Sequence, residues 1–400
     1  MINTQDKIAT TTDKQTKAQS KARHNRFWLQ MALMIPLSIV TLELTLGALG
    51  VGQQEIVQPD PVLGCIHLKN KMVTWRLEGY SHEKLNSQGL RDTEHSLVKP
   101  ANTYRIAVLG DSSTEGLQVS MDETYTKQLQ KLLNQKLPPD LAGKNVEVIN
   151  FGCSSYSTGQ ELMLFREQVK NFAPDMTVVL LCKGDILENT LDVLHPGKAE
   201  PRPYFYLDQA GSLQCDNGIL KANHDKLAND KPVNQLFNWL RAHSNIYGVA
   251  SKANFSLFLV DKTYYRIAHF IQTVIQKASG KEALMQANYP MPDKRAVSQA
   301  LVGQFKKETR EIGSDFILML FPGMGLKDDD WAQTVDALKT QAVAQSFGFI
   351  DLQPVIQKVK DPNSLFLQFH FSKGGHEVTA RALADYLTTH KLTTQTKTAQ

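Results

Sequence analysis

The chain has 400 residues, 42% of them hydrophobic and 21% charged, with a net charge of +4. That is the make-up of an ordinary globular chain with room for one core of about 300 residues. The weak charge, with no basic run interleaved with aromatics, gives no support to nucleic-acid binding.

Residues 1–26 are rich in Thr, Gln and Lys and nearly free of large apolar side chains, which predicts a disordered tail. Residues 27–51 are apolar apart from Gln30, Ser38, Thr41, Glu43 and Thr45. About 20 such residues span a bilayer, and the basic flank (Lys21, Arg23, Arg26) sets the N-terminus on the cytoplasmic side. The expectation is an uncleaved signal anchor, with the bulk of the chain extracytoplasmic, periplasmic or extracellular. A cleaved signal and a buried helix are the alternatives. The compartment would permit disulfides among the four cysteines, and Cys65 with Cys215 is the pair considered. No His, Cys or acidic cluster has metal-ligand spacing, and no cofactor is implied.

Residues 52–103 hold few periodic segments and read as an extended arm packed on the sheet, its ionic residues structural. From residue 104 apolar runs alternate with helical patterns. Strands are expected at 104–109, 146–151, 177–182, 316–321 and 347–352, and helices at 122–136, 158–172, 294–312, 329–346 and 375–389. Near-continuous apolar strands separated by helices predict a parallel five-stranded sheet covered on both faces, an α/β/α sandwich over 104–390. Residues 190–293 interrupt that rhythm as an insertion, with a hairpin near 204–213 and helical stretches near 233–248 and 254–278. Residues 391–400 read as a second disordered tail.

Chemistry gathers at strand ends, where an open α/β sheet places it. Gly110-Asp111-Ser112-Ser113-Thr114-Glu115-Gly116 follows the first core strand and offers Ser112 as a nucleophile. Asn150-Phe151-Gly152 follows the second, where Gly152 lets a backbone N–H come close to a ligand. Lys183-Gly184-Asp185 follows the third, and His370 precedes the last helix. A hydroxyl needs a base before it attacks, and His370 on a loop at the same edge suits that task. The Ser112 and Gly152 N–H groups would receive the oxyanion. Asp111 reads as a turn former, Asp185 as a loop-fixing residue and His376 as packing.

These blocks resemble the SGNH (GDSL-type) hydrolases: Gly110–Gly116 is similar to the first block, Gly152 to the second, and His370 with Gly375-His376 to the last. Asn86-Ser87-Gln88-Gly89-Leu90-Arg91-Asp92 looks like the lead-in of membrane-anchored bacterial members of unassigned substrate. The resemblance covers roughly 84–190 and 314–388. It implies a flavodoxin-like three-layer fold, Ser112 as nucleophile, His370 as base, and Ser112 and Gly152 as oxyanion donors. Gly184 stands where the family has an Asn donor, and Gln368 where an Asp just ahead of the His orients the ring. Asp111, Asp185, Asn189 and Gln368 are the candidate supporting residues, with Lys183 and Asp361 also in sequence reach. The expected function is ester hydrolysis on a small ester or an acylated glycan, with the membrane held through 27–51. An O-acetyltransferase and a catalytically weak glycan-binding protein are the competing readings.

Overall fold

A computed structural model describes residues 4–52, 55–191, 199–251, 293–322 and 329–390. The chain forms two compact units, Met1–Gln54 with Asn238–Asp261, and Glu55–Phe237 with Lys262–Gln400.

In the first unit a single helix, α1 (Thr4–Ala48), runs through both the expected tail and the apolar span. The tail is therefore helical where composition predicted disorder. Its Ala, Lys and Gln are good helix formers, and they extend an existing helix without a new nucleation step. The stretch Ser20–Ala48 is long and apolar enough to cross a membrane.

The second unit begins with two antiparallel hairpins in the arm. β1 (Val57–Asp60) pairs with β2 (Gly64–His67), and β3 (Met72–Trp75) pairs with β4 (Ser81–Lys84). Each strand has four residues, too short to show a period in the sequence. β5 (Thr103–Leu109) then enters the core and is followed by the short α2 (Ser112–Glu115) and by α3 (Tyr125–Gln135). Next come β6 (Asn145–Asn150), α4 (Thr158–Glu167), β7 (Met176–Leu181) and α5 (Lys183–Glu188). The insertion contributes the hairpin β8 (Tyr204–Leu207) and β9 (Leu213–Asp216), then α6 (Gly218–Ala228) and the start of α7 (Pro232–His243), which belongs to the first unit from Asn238 on. The chain returns through α8 (Lys294–Glu311), β10 (Asp315–Leu320), α9 (Asp329–Gln345), β11 (Gly348–Asp351), α10 (Gln353–Gln357) and α11 (Lys373–Thr389). The helix expected at 254–278 and the tail 391–400 lie outside the described residues.

The core sheet is parallel, with strands in the order β11-β10-β7-β5-β6. Alternation along each strand builds two cores. Ala107, Leu109, Ile149, Val179, Leu181 and Leu318 face α4, α8 and α9. Ile106, Val108, Val148, Val178, Leu180 and Met319 face α3 and α11. Both faces are thus covered, a three-layer α/β/α sandwich. Each fully buried aliphatic side chain contributes about 1.5–3 kcal/mol from desolvation. The carboxyl ends of β5, β6 and β7 emerge on one edge, and the site is built there.

Candidate active site

Ser112 is the first residue of α2, directly after β5. Asp111 caps that turn: its side chain accepts the Ser113 N–H at 2.8 Å. This is a structural task, as the sequence suggested. Three neighbours hold the turn. The Arg91 Nη1 donates to the carbonyls of Glu115 and Gly116, each at 2.9 Å, and its Nη2 to that of Val119 at 2.5 Å. Asn150 Nδ2 donates to the Thr114 carbonyl at 2.9 Å. Fully buried Glu115 pairs with His67 at 3.0 Å and accepts the Ser154 N–H at 2.8 Å. Burial opposes ionisation of Glu115, but the His67 charge and the Ser154 donors outweigh it and hold its carboxyl below the usual range.

His370 lies on the tight turn between Phe366 and Phe371, ahead of α11. Its Nε2 is 2.8 Å from Ser112 Oγ, across 258 positions of sequence. Its Nδ1 is 2.8 Å from Glu78 Oε2, across 292. A carboxylate on Nδ1 fixes the tautomer, so Nδ1–H donates to Glu78 and Nε2 is left to accept the serine proton. Burial pushes the Glu78 carboxyl up, but the His370 and Phe369 N–H donors outweigh it and keep it below its ordinary value.

Glu78 sits at the tip of the β3–β4 hairpin with φ 61°, a left-handed conformation uncommon for a residue with a side chain. The tip is clamped on the chain that leaves α2. Ser81 Oγ donates to the Leu117 carbonyl at 2.6 Å, and the Tyr80 N–H to the Gln118 carbonyl at 3.2 Å. A Cβ at Gly79 would meet the Gln118 carbonyl oxygen at 2.1 Å, so the approach requires glycine. The arm therefore carries a site acid, against the expectation that its ionic residues are structural. A Glu-Gly at a turn is an ordinary turn signal, and nothing in the sequence tied it to His370.

The other expected residues are placed elsewhere. Gln368 is exposed on the His370 turn and makes no hydrogen bond to the ring among the described residues. Asp185 is buried, accepting Thr158 Oγ1 and the Cys182 N–H, each at 3.0 Å; burial, then the Asp111 charge, push its carboxyl well up. Asn189 is buried and accepts the Gly159 N–H at 2.7 Å, fixing the start of α4. His376 Nδ1 accepts the Tyr125 N–H at 3.2 Å, and burial, then the Arg91 charge, lower its pKa to about 3. All four cysteines are free thiols, so Cys65 and Cys215 are not joined.

The oxyanion expectation also shifts. The Gly152 N–H is committed to Asn150 Oδ1 at 2.9 Å. Gly152 is instead a close-packing residue: a Cβ there would meet the Glu115 nitrogen at 2.3 Å. Cys153 donates to the Gly110 carbonyl and Tyr156 to the Cys153 carbonyl, while Ser154 holds Glu115. Ser155, exposed and at φ 65°, is the residue of this loop whose N–H has no partner among the described residues. The Ser112 N–H is likewise without one. Gly184 is the second residue of α5, and a Cβ there would meet nothing nearer than Glu188 Oε1 at 3.9 Å.

No family model matches the chain, and no curated protein matches it. Among solved structures it is similar to TesA, with 10% identity over 71% of this chain and 97% of that one at a TM-score of 0.37. It is also similar to a catalytic mutant of Axe2, an acetylxylan esterase from Geobacillus stearothermophilus (14% identity, 71% and 93% covered, TM-score 0.37). A third is LAE5, an alpha/beta hydrolase enzyme from the metagenome of Lake Arreo, Spain (13% identity, 71% and 94% covered, TM-score 0.37). The chain is thus an α/β/α sandwich that resembles the SGNH (GDSL-type) hydrolases in its motifs, with a serine, a histidine and a glutamate in hydrogen-bond sequence at the sheet's carboxyl edge.

Proposed function

We propose that the chain is a membrane-anchored, extracytoplasmic serine esterase acting through Ser112, His370 and Glu78. The unbroken hydrogen-bond line Glu78–His370–Ser112 carries this reading. As Ser112 Oγ bonds to the ester carbonyl carbon, its proton passes to His370 Nε2, and Glu78 stabilises the imidazolium. The carbonyl oxygen becomes an oxyanion facing the free N–H groups of Ser112 and Ser155. His370 then protonates the leaving alcohol as the ester C–O bond breaks. Water, deprotonated by His370 Nε2, then bonds to the acyl carbon; the Ser112 Oγ–C bond breaks as His370 returns that proton to Oγ, and the free acid leaves.

The substrate class we favour is O-acyl, chiefly O-acetyl, esters on envelope or exported polysaccharide. Supporting it, Tyr80 and Phe369, 57% and 63% exposed, stand within two residues of Glu78 and His370. Flat exposed aromatics at the mouth of a site suit sugar rings. A sugar hydroxyl in place of water makes the same machinery an O-acetyltransferase. The missing donor at Gly184 favours a slow enzyme or a glycan-holding protein instead.

The test follows hydrolysis of p-nitrophenyl acetate and of acetylated xylan by the full chain in detergent. Ser112→Ala and His370→Ala are each expected to lower kcat on the order of 10⁴-fold or more. Turnover unchanged by Ser112→Ala would refute the mechanism. A folded chain that binds acetylated xylan without turnover would leave the glycan-holding reading.

A further inference from the structure

The helix α7 is two-sided. Val233, Leu236, Phe237, Trp239 and Leu240 recur at helical spacing on one side, and Asn234, Gln235, Asn238 and Arg241 occupy the other. Its sequence contains no acidic residue. Val233, Leu236 and Trp239 are 52%, 54% and 56% exposed. Single exposed apolar residues are normal on a protein surface, but three at helical spacing on one side, a tryptophan among them, are not.

The residues that follow α7 tie it to α1. Glu43 lies in the last turns of α1, near the end of its apolar span. Its carboxylate accepts Ser244 Oγ at 2.9 Å, the Asn245 N–H, and the Ile246 N–H at 3.0 Å. These are donors at the start of the helical stretch 245–251, where N–H groups have no partner within the helix. A carboxylate in an apolar span is costly unless donors surround it, and here the segment right after α7 supplies them. The segment right after α7 is thereby tied to α1 at Glu43, in the last turns of the apolar span.

We propose that α7 lies in the plane of the outer-leaflet interface as a second attachment to a phospholipid bilayer. Val233, Leu236, Trp239 and Leu240 enter the acyl boundary while Asn234, Gln235, Asn238 and Arg241 remain among the headgroups. A helix with a strong apolar face carrying Trp and Leu, and a polar face with a basic residue, is the kind that binds this way. Glu43 is then the latch that sets the depth of α7 against the anchor. The inference rests on the reading of α1 as a membrane-spanning anchor.

The test places the full chain in phospholipid nanodiscs made with lipids brominated at acyl carbons 6 and 7, or with unbrominated lipids. Tryptophan quenching is compared among wild type, Trp28→Phe and Trp239→Phe. Trp28 reports the anchor and Trp239 reports α7. Both variants are expected to lose a share of the bromine-dependent quenching, the two losses being similar in size. Loss in Trp28→Phe with none in Trp239→Phe would overturn the placement of α7 and leave the anchor standing. Loss in Trp239→Phe alone would keep α7 on the bilayer and remove the anchor. No bromine-dependent quenching in wild type would remove both.

Discussion

Ser112 and Glu78 reach one imidazole from two differently built regions. Ser112 stands just past the end of a seven-residue strand, every residue of which is buried, between β7 and β6 in a five-stranded sheet. Glu78 stands at the tip of a hairpin of two four-residue strands, half-exposed along much of their length. The nucleophile's position follows from the main hydrophobic core. The acid's position follows from a few hydrogen bonds to the segment after α2 and from a glycine that permits close approach. The carboxylate facing His370 therefore comes from a hairpin outside the main sheet.

The sharpest way to break that comparison is Glu78→Gln, which keeps the size of the side chain and removes its charge. It is expected to lower kcat about 10³-fold, because a neutral amide neither enforces the tautomer nor stabilises the imidazolium. The melting temperature should move by a degree or less. Gln368→Ala, at the residue that the motif alone would have favoured, should change kcat less than twofold. Steady-state kinetics on the two variants decides between them, and the reverse ranking would return the supporting role to Gln368.

The same contrast explains what was legible beforehand. Val108, Val148, Val178 and Leu318 lie in runs long and apolar enough to announce buried parallel strands, and each expected core strand falls within a residue or two of the observed one. Ser112 and His370 were found because a strand end and a helix start are marked by Gly and by capping residues. Glu78 was not, because four-residue strands carry no period and a contact across 292 positions leaves no local trace. Gly152 misled for a related reason. Glycine marks a close approach, but the group approaching is the α2 backbone rather than a ligand.

The arm is also structural, and Arg91 tests that side of it. Its side chain is buried, pairs with Glu83 at 2.7 Å and caps three carbonyls at the end of α2. Arg91→Met takes the buried donor from the Glu115 and Val119 carbonyls and the opposite charge from Glu83, which keeps the Met121 N–H, and this should cost about 3 kcal/mol. Thermal unfolding should show a loss of several degrees, with kcat reduced as well because α2 is no longer held. A variant with wild-type stability would mean that the arm is an accessory even at this buried contact.

His376 gives the core a pH dependence set by burial. Its folded pKa of about 3 lies below the ordinary 6.5 because burial disfavours the charged ring. Between those values the unfolded chain takes up a proton that the folded chain refuses, so stability falls as pH falls. The slope is about 1.4 kcal/mol per pH unit, or about 2 kcal/mol from pH 6.5 to pH 5. His376→Asn keeps an acceptor for the Tyr125 N–H and removes the titration. Melting curves at pH 7 and pH 5 should therefore show a smaller drop in the variant, whatever its starting stability.

Gly184 offers the smallest and most informative change, since it adds a group rather than removing one. The Cβ of an asparagine has room there: α5 begins at the same sheet edge as Ser112, and the nearest atom to a new Cβ is 3.9 Å away. Removing one oxyanion donor from an enzyme typically costs 10²- to 10³-fold in rate. Restoring one by substitution recovers less, because the neighbouring residues have not been fitted to hold it, and about a tenfold rise in kcat is expected. KM should be nearly unchanged, as the donor acts on charge that develops in the transition state. A rise of that kind on p-nitrophenyl acetate would show that the strand-end scaffold is complete and lacks a single side chain. An unchanged kcat in a variant that still depends on Ser112 would show that the oxyanion is already held by the backbone N–H groups of Ser112 and Ser155.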